Sequence, residues 1–282
     1  MESGPGPGIS SEPALLASLL GQIHQSEAIA LARRIPDRAI DLVYCDPPFG
    51  KGREYAGRDN LAFDDLWASF DAYLEWLEDV AGEMPRILSD RGSFFLHLDP
   101  LASHYAKVIL DRVFGRARFL NEIVWHHTGG GRSKRYFSRK HQVILWYSKS
   151  DSYTFNIDAV RQPYAPTSGY AKKGIRAASG KHYSPHPDGT PMDDVWSIPM
   201  VNPMAAERVG YPTQKPLALL ERIVAAASSP GDVVGDFFCG SGTTLVAAKR
   251  LGRRWIGGDQ SADAVAIARE RIDREATCSP VL

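Results

Sequence analysis

The stretch VVGDFFCGSGTTLVAAKRL, Val233 to Leu251, constrains this chain more than any other. It opens on β-branched and apolar residues, passes two glycines one residue apart, and continues as an apolar run with helical spacing. Strand, tight turn and helix in that order are the context in which a Gly-rich motif gains meaning. Gly240 and Gly242 let the backbone turn sharply and approach a ligand, and Thr243 opens the helix. The next strand, in RRWIGGDQS, ends at Asp259, about twenty residues on, where a carboxylate can accept hydrogen bonds from ribose hydroxyls. An adenosine-containing ligand is expected. Leu245 stands where a dinucleotide fingerprint needs a third glycine, so the turn lacks the feature suited to a pyrophosphate.

The same alternation runs through the rest of the chain. GQIH reads as a short strand and SEAIALARRI as a helix with Ser26 as N-cap. IDLVYCD is a strand, LWASFDAYLEWLEDVAGEMPRIL a helix kinked near Pro85, GSFFLHLD a strand and LASHYAKVILDRVF a helix. FLNEIVWHH and KHQVILWYSKS read as two strands, LALLERIVAAASS and ADAVAIARERIDRE as later helices. From Asp151 to Gly210 regular pattern fades, as in an irregular insertion. Strands alternating with helices imply a doubly wound, mostly parallel α/β sheet covered on both faces.

The 282 residues suffice for one large α/β domain with an insertion. No apolar run approaches the ~18 residues that span a bilayer. The start, MESGPGPGISSEP, lacks the basic and apolar blocks of a signal peptide. Residues 1–20 are expected as a disordered leader, and the chain as cytoplasmic with no membrane partner. Cys45, Cys239 and Cys278 form neither a disulfide framework nor a metal spacing, and His126 and His127 would point to opposite faces of a strand. No metal site is expected.

Formal net charge is zero, yet Thr128 to His182 holds eleven Lys/Arg against two Asp. A basic segment in an otherwise acidic protein points to a polyanion contact there. Its densest part, GGGRSKRYFSRK, joins glycines and cations (Arg132, Lys134, Arg135, Arg139, Lys140) to two aromatics, Tyr136 and Phe137. Earlier, LVYCDPPFG ends an apolar strand in Asp46, Pro47, Pro48 and Phe49. Neither proline has an N–H and both have fixed φ, so their carbonyls are held at a set angle at the strand's carboxyl end, where open α/β sheets place ligands.

DPPFG and DFFCGSGTT together resemble the DNA amino-methyltransferases, which use S-adenosylmethionine to modify the exocyclic nitrogen of adenine or cytosine. The order, with the catalytic signature first and the cofactor signature last, is similar to the beta-type permutation of that family. GYPTQKP resembles its motif before the cofactor strand, and EIVWHHTGGG…KHQVILWYSK its paired strands near the target base. The resemblance runs from about Gly21 to Glu275. It implies a seven-stranded, Rossmann-like methyltransferase sheet whose catalytic half is 21–150 and whose cofactor half is 211–282. A target-recognition insertion at 151–210 would separate them. The partner implied is double-stranded DNA; a homodimer and a cognate restriction endonuclease are open to such a chain.

On this reading Asp46 and the Pro47 carbonyl accept hydrogen bonds from the amino group of a flipped-out base, and Phe49 offers it an apolar face. Trp125 is a candidate for the other side of the pocket. Asp236, Phe238, Gly240, Gly242, Thr243 and Asp259 would bind the cofactor, with Thr213 and Lys215 at its aminoacyl end. Where the family often has Gly-Asp before the first helix, this chain has Gln25-Ser26, which leaves the adenine end of the cofactor without its usual acid. No cysteine follows a proline, unlike the nucleophile of the carbon-5 cytosine enzymes. Adenine N6 and cytosine N4 both stay open as targets. Other readings are an RNA or protein-glutamine amino-methyltransferase, a nucleotide-binding oxidoreductase and an inactive DNA-binding relative. Asp46 and the basic insertion favour DNA methylation.

Overall fold

The structure is a computed structural model that describes residues 12–51, 53–56, 62–129 and 131–277. In chain order the first elements are α1 (Glu12–Leu19), β1 (Ile23–Gln25), α2 (Ala28–Arg34) and β2 (Ile40–Cys45). A hairpin of β3 (Arg53–Ala56) and β4 (Ala62–Asp65) precedes α3 (Phe70–Ile87), β5 (Leu88–Leu98), α4 (Pro100–Phe114), β6 (Phe119–His126) and β7 (His141–Ser148). The irregular stretch holds β8 (Arg161–Gln162), α5 (Gly169–Lys173), β9 (Ile175–Arg176), β10 (His182–Tyr183), β11 (Thr190–Pro191) and β12 (Val195–Ser197). The chain closes with α6 (Leu217–Ala227), β13 (Val233–Asp236), α7 (Thr243–Arg250), β14 (Arg254–Asp259) and α8 (Ala262–Thr277).

Eight strands form the central sheet in the order β1-β14-β13-β2-β5-β7-β6-β12. All neighbours run parallel except β7, which is antiparallel to both β5 and β6. The doubly wound methyltransferase sheet is therefore present, and it carries an eighth strand beyond the seven expected. That strand, β12, comes from the 151–210 segment and pairs with β6, Trp196 opposite Trp125. A strand buried on both faces has no polar side to alternate, which is why LVYC in β2 is apolar throughout. Leu42 and Tyr44 pack into one layer, Val43 and Cys45 into the other.

Two local expectations are corrected. Residues 12–19 of the expected leader form α1, which seats Leu19 in the core, while residues 1–11 and Cys278 lie outside the described residues. The N-cap of α2 is Glu27 and not Ser26: a Glu27 carboxylate oxygen accepts the Ala30 amide at 2.9 Å. The longer acidic side chain reaches an orphan donor of the first turn, which leaves the Ser26 hydroxyl to donate to the Glu27 carbonyl.

β13 leads on to β14 on one side of the sheet, whereas β2 leads on to β5 on the other. Connections departing in opposite directions leave a crevice at the carboxyl ends of these two adjacent strands. Asp236 ends β13 and Asp46 follows β2, so the topology alone brings the two motifs to one place.

Candidate functional site

A cavity of about 470 Å³ opens at this crevice. Its walls bring together Asp46, Pro47, Pro48 and Phe49 with Asp236, Phe238, Gly240, Thr243 and Asp259, and with Thr213, Lys215 and Trp125. Residues separated by two hundred positions in the chain thus share one hollow, as the resemblance implied.

The glycine turn is built for close approach. Gly240 has φ +48° and Gly242 φ +75°, a region where a side chain is strained. A Cβ on Gly242 would stand 2.9 Å from Cβ of Ala268 in α8. Asp259 ties the turn to β14: Oδ2 accepts the Gly240 amide at 2.9 Å and Oδ1 the Ser261 amide at 2.9 Å. Each oxygen keeps a lone pair for a further donor. Burial raises the Asp259 pKa, against the pull of those two amides.

Asp236 is buried at the floor, where its Oδ1 accepts the Phe238 amide at 3.0 Å. Burial pushes its pKa up to about 7, even though the Thr244 hydroxyl and the Phe238 amide favour the charged form. A carboxyl so placed gains much from a cation brought beside it. The hydroxyl of Thr243 is already engaged: it accepts from Arg271 at 2.8 Å and lies 3.3 Å from the Lys215 carbonyl.

At the other end, Asp46 is divided between two fates. Its Oδ2 accepts a hydrogen bond from the Lys215 ammonium, while Oδ1 is buried and finds no partner among the described residues. Burial raises the Asp46 pKa; Lys215 and, more weakly, Lys51 pull it back. The Phe49 ring has the Lys51 ammonium 5.0 Å and the Lys215 ammonium 5.4 Å from its centroid. Lys51 is itself paired with Asp99 at 2.8 Å. Beneath Phe49 lies His97, 6.2 Å between centroids, whose Nδ1 is 2.6 Å from the Tyr44 hydroxyl. Burial, then Lys215, holds the His97 pKa well below the usual imidazole range, so this ring is neutral.

Trp125 is almost wholly buried, with its indole N–H donated to the Ile198 carbonyl at 2.8 Å. It meets His97 edge-on at 5.5 Å and forms part of the wall. The basic loop behaves differently. Arg132, Lys134, Arg135, Tyr136, Phe137 and Arg139 do not line the cavity, and most of them are exposed; they stand beside it. Tyr136 carries Arg139 at 5.4 Å, and Lys140 donates to the Gly129 carbonyl at 2.7 Å. Met200, a cavity residue, packs so closely on Gly129 that a Cβ there would lie 2.3 Å from its sulfur. Loop and cavity are joined at that point.

Several wall residues escaped the sequence reading. Glu27 reaches the cavity one position beyond the Gln25-Ser26 pair, supplying an acid near the adenosine end. Tyr44 and Gln142 also line it, and His97 and Asp99 sit at the carboxyl end of β5. Polar residues closing an apolar strand, as in GSFFLHLD, were the available signal for the latter two. Both described cysteines are buried and their thiol pKa values are pushed up by that burial, which suits packing and not nucleophilic work.

The profile of the N6/N4 methylase family, described as DNA methylase, matches residues 40–270. The type II methyltransferase M1.MboII of Moraxella bovis is 34% identical over 259 residues, 87% of this chain and 94% of that one. M.HpaI of Haemophilus parainfluenzae, also a type II methyltransferase, is 32% identical over 251 residues, 89% of this chain and 73% of that one. A DNA modification methylase of Thermus thermophilus, TTHA0409, solved in complex with S-adenosyl-L-methionine, superposes with a TM-score of 0.59 at 25% identity, covering 92% of this chain and 95% of that one. A glycine turn closed by Asp259, a buried acid at Asp236 and a half-bonded carboxylate at Asp46 thus occur in a chain that belongs to the N6/N4 DNA methylase family, the amino-methyltransferases of DNA.

Proposed function

We propose that this protein transfers a methyl group from S-adenosylmethionine to the exocyclic amino nitrogen of a base flipped out of double-stranded DNA. The residues present fit that cofactor. Gly240 and Gly242 keep a cradle that a Cβ would fill, Asp259 offers lone pairs to ribose hydroxyls, and Glu27 stands near the adenine end. Asp236 receives the cofactor's ammonium, and that charge compensates its burial. Bound there, the cofactor supplies an electrophilic methyl on a positively charged sulfur.

The single observation that carries the reading is the bare Oδ1 of Asp46, a buried acceptor without a donor among the described residues. An aromatic amine is a weak nucleophile because its lone pair is delocalised into the ring. Oδ1 and the Pro47 carbonyl accept its two N–H bonds and so favour a pyramidal nitrogen with a localised pair. As that nitrogen takes the methyl it gives up one proton, for which the Asp46 carboxylate is the adjacent acceptor. Phe49 holds the base by stacking, worth about 1–3 kcal/mol. Positioning the reactants supplies much of the rate. The flipped base enters beside the basic loop, whose cations neutralise phosphates.

The test is methylation of duplex DNA followed by mass spectrometry of the nucleosides, with Asp46→Ala as control. Methylated adenine or cytosine from the wild type and none from the variant is the expected result. Labelled nucleic acid at an unchanged rate from the variant would end the assignment.

The recognition segment 151–210, a cognate endonuclease and a homodimer complete the proposal. Leu101, Tyr105 and Val108 form an exposed apolar row on α4, which supports self-association. Sedimentation of the wild type against a Leu101→Arg, Val108→Arg double variant decides it. Among the described residues no helix is long and apolar enough to cross a membrane; the site of action proposed is the cytoplasm.

A further inference from the structure

Lys215 lies in the segment that leads into α6, 169 positions from Asp46, and its side chain is 8% exposed. Sequence reasoning gave it to the cofactor's carboxylate. The geometry does otherwise: its ammonium is bonded to Asp46 Oδ2 and lies 5.4 Å from the Phe49 centroid. Lys51, the other cation near Asp46, is committed to Asp99. The neighbours of Lys215 are engaged too. Gln214 bridges the Glu207 carbonyl and the Val209 amide, while Thr213 takes φ +60°, a left-handed turn costly for a β-branched residue. That turn lies two residues before the buried lysine.

We propose that Lys215 is the positioning residue for methyl transfer: its ammonium anchors Oδ2 of Asp46 and thereby aims Oδ1 at the amino group of the target base. The inference rests on the reading of Asp46 as the acceptor for that group. A carboxylate free to rotate presents either oxygen at any angle, and one anchored through a buried ion pair presents one oxygen along one line. The ammonium also opposes the cost of keeping a carboxylate charged in a buried site, where breaking one partner leaves an uncompensated charge.

The groups that face Asp46 are few. Lys215 approaches from the segment before α6, Lys51 from the turn after Phe49, and Asp236 from β13. Tyr44 and Cys45 of β2, Tyr73 of α3 and Tyr211 are neutral neighbours whose own pKa values burial raises. Without Lys215 the balance around Asp46 tips toward the protonated acid, which cannot accept through both oxygens.

The experiment compares wild type, K215M, K215R and D46A by calorimetry with S-adenosylmethionine and by single-turnover methylation of duplex DNA across pH. K215M is expected to bind the cofactor as the wild type does, while its methylation rate falls by about 10²-fold, the scale of losing one preorganised polar partner. The acidic limb of its rate profile moves to higher pH, because Asp46 now ionises later, and K215R restores part of both. Lost cofactor affinity with an unchanged rate at saturation would make Lys215 a cofactor ligand and overturn the proposal. So would an unmoved limb, or a faster K215M, the sign of a blocking contact. If K215M does not fold, K215R decides alone: a wild-type limb with a reduced rate supports the proposal, and lost cofactor affinity overturns it. A fully active D46A removes the underlying reading instead, which keeps the two failures apart.

Discussion

Asp65 Oδ1 accepts the Gly50 amide at 2.8 Å, so the turn that presents Phe49 is clamped by a residue fifteen positions away. Oδ2 accepts the Lys51 amide at 2.9 Å and Oδ1 also takes the Trp67 indole N–H at 2.9 Å. Gly50 has φ +68°, and a Cβ there would stand 2.7 Å from the Tyr73 ring. The catalytic turn is thus held from both sides.

Asp65→Ala would leave buried donors unpaired, at a cost of about 1–3 kcal/mol. Urea unfolding should show that loss. Single-turnover methylation should fall as Phe49 loses its support, while calorimetric affinity for the cofactor stays. A variant with the wild-type rate would show that the clamp serves stability alone.

Gly242→Ala meets Ala268 and a left-handed backbone together, so a destabilisation of about 1–3 kcal/mol and weaker cofactor binding are expected. Gly82→Ala in α3 is the contrast. An added Cβ there finds nothing within 4 Å, and helix propensity favours the change by about 0.5–1 kcal/mol. Thermal melts of the two variants should therefore move in opposite directions.

Asp236, with its pKa near 7, holds a proton in the folded protein at pH values where the unfolded chain has released it. Its contribution to stability is complete below the unfolded carboxylate pKa, about 4, and is lost as pH rises through about 7. A docked ammonium reverses the preference. Cofactor binding near pH 6 should release a proton, and affinity should rise with pH up to about 7. Calorimetry in two buffers of different ionisation enthalpy measures that release, and Asp236→Asn should abolish it. Affinity independent of pH across this window would place the ammonium elsewhere.

The basic loop should act on DNA and not on the cofactor. Phe137 is 99% exposed, an orientation that nothing within the chain rewards. Arg135→Ala should flatten the slope of log affinity against log salt by about 0.9 if it meets one phosphate. Phe137→Ala should weaken duplex binding by about 1–3 kcal/mol if it stacks on a base. Unchanged DNA binding by both would remove the loop from the interface.

The sheet and both motifs were readable in the sequence because each rests on local pattern. Apolar strands end in Asp46, Asp236 and Asp259, and the glycines need no tertiary partner to be meaningful. What escaped depended on contacts between distant segments. Lys215 looked like a ligand for a carboxylate until 169 intervening residues folded to put it on Asp46. Trp125 looked like a free stacking platform, yet the Ile198 carbonyl holds its indole. Asp65 sat inside an acidic patch, FDD, with no hint of the amides it would accept. Ser26 followed the usual capping preference, and Glu27 took the role by reach. β12 was missed because three residues in an irregular stretch carry no period.

That short strand also constrains how this enzyme could be re-engineered. Val195–Ser197 continues the ladder along β6, and Ile198 grips the back of Trp125. Swapping the whole 151–210 segment for one from a relative, to change the DNA sequence that is modified, would strip a raw hydrogen-bonding margin along β6 and loosen the wall of the catalytic hollow. A chimera should splice ahead of Asp194, so that new specificity arrives without unpicking the hem of the old scaffold.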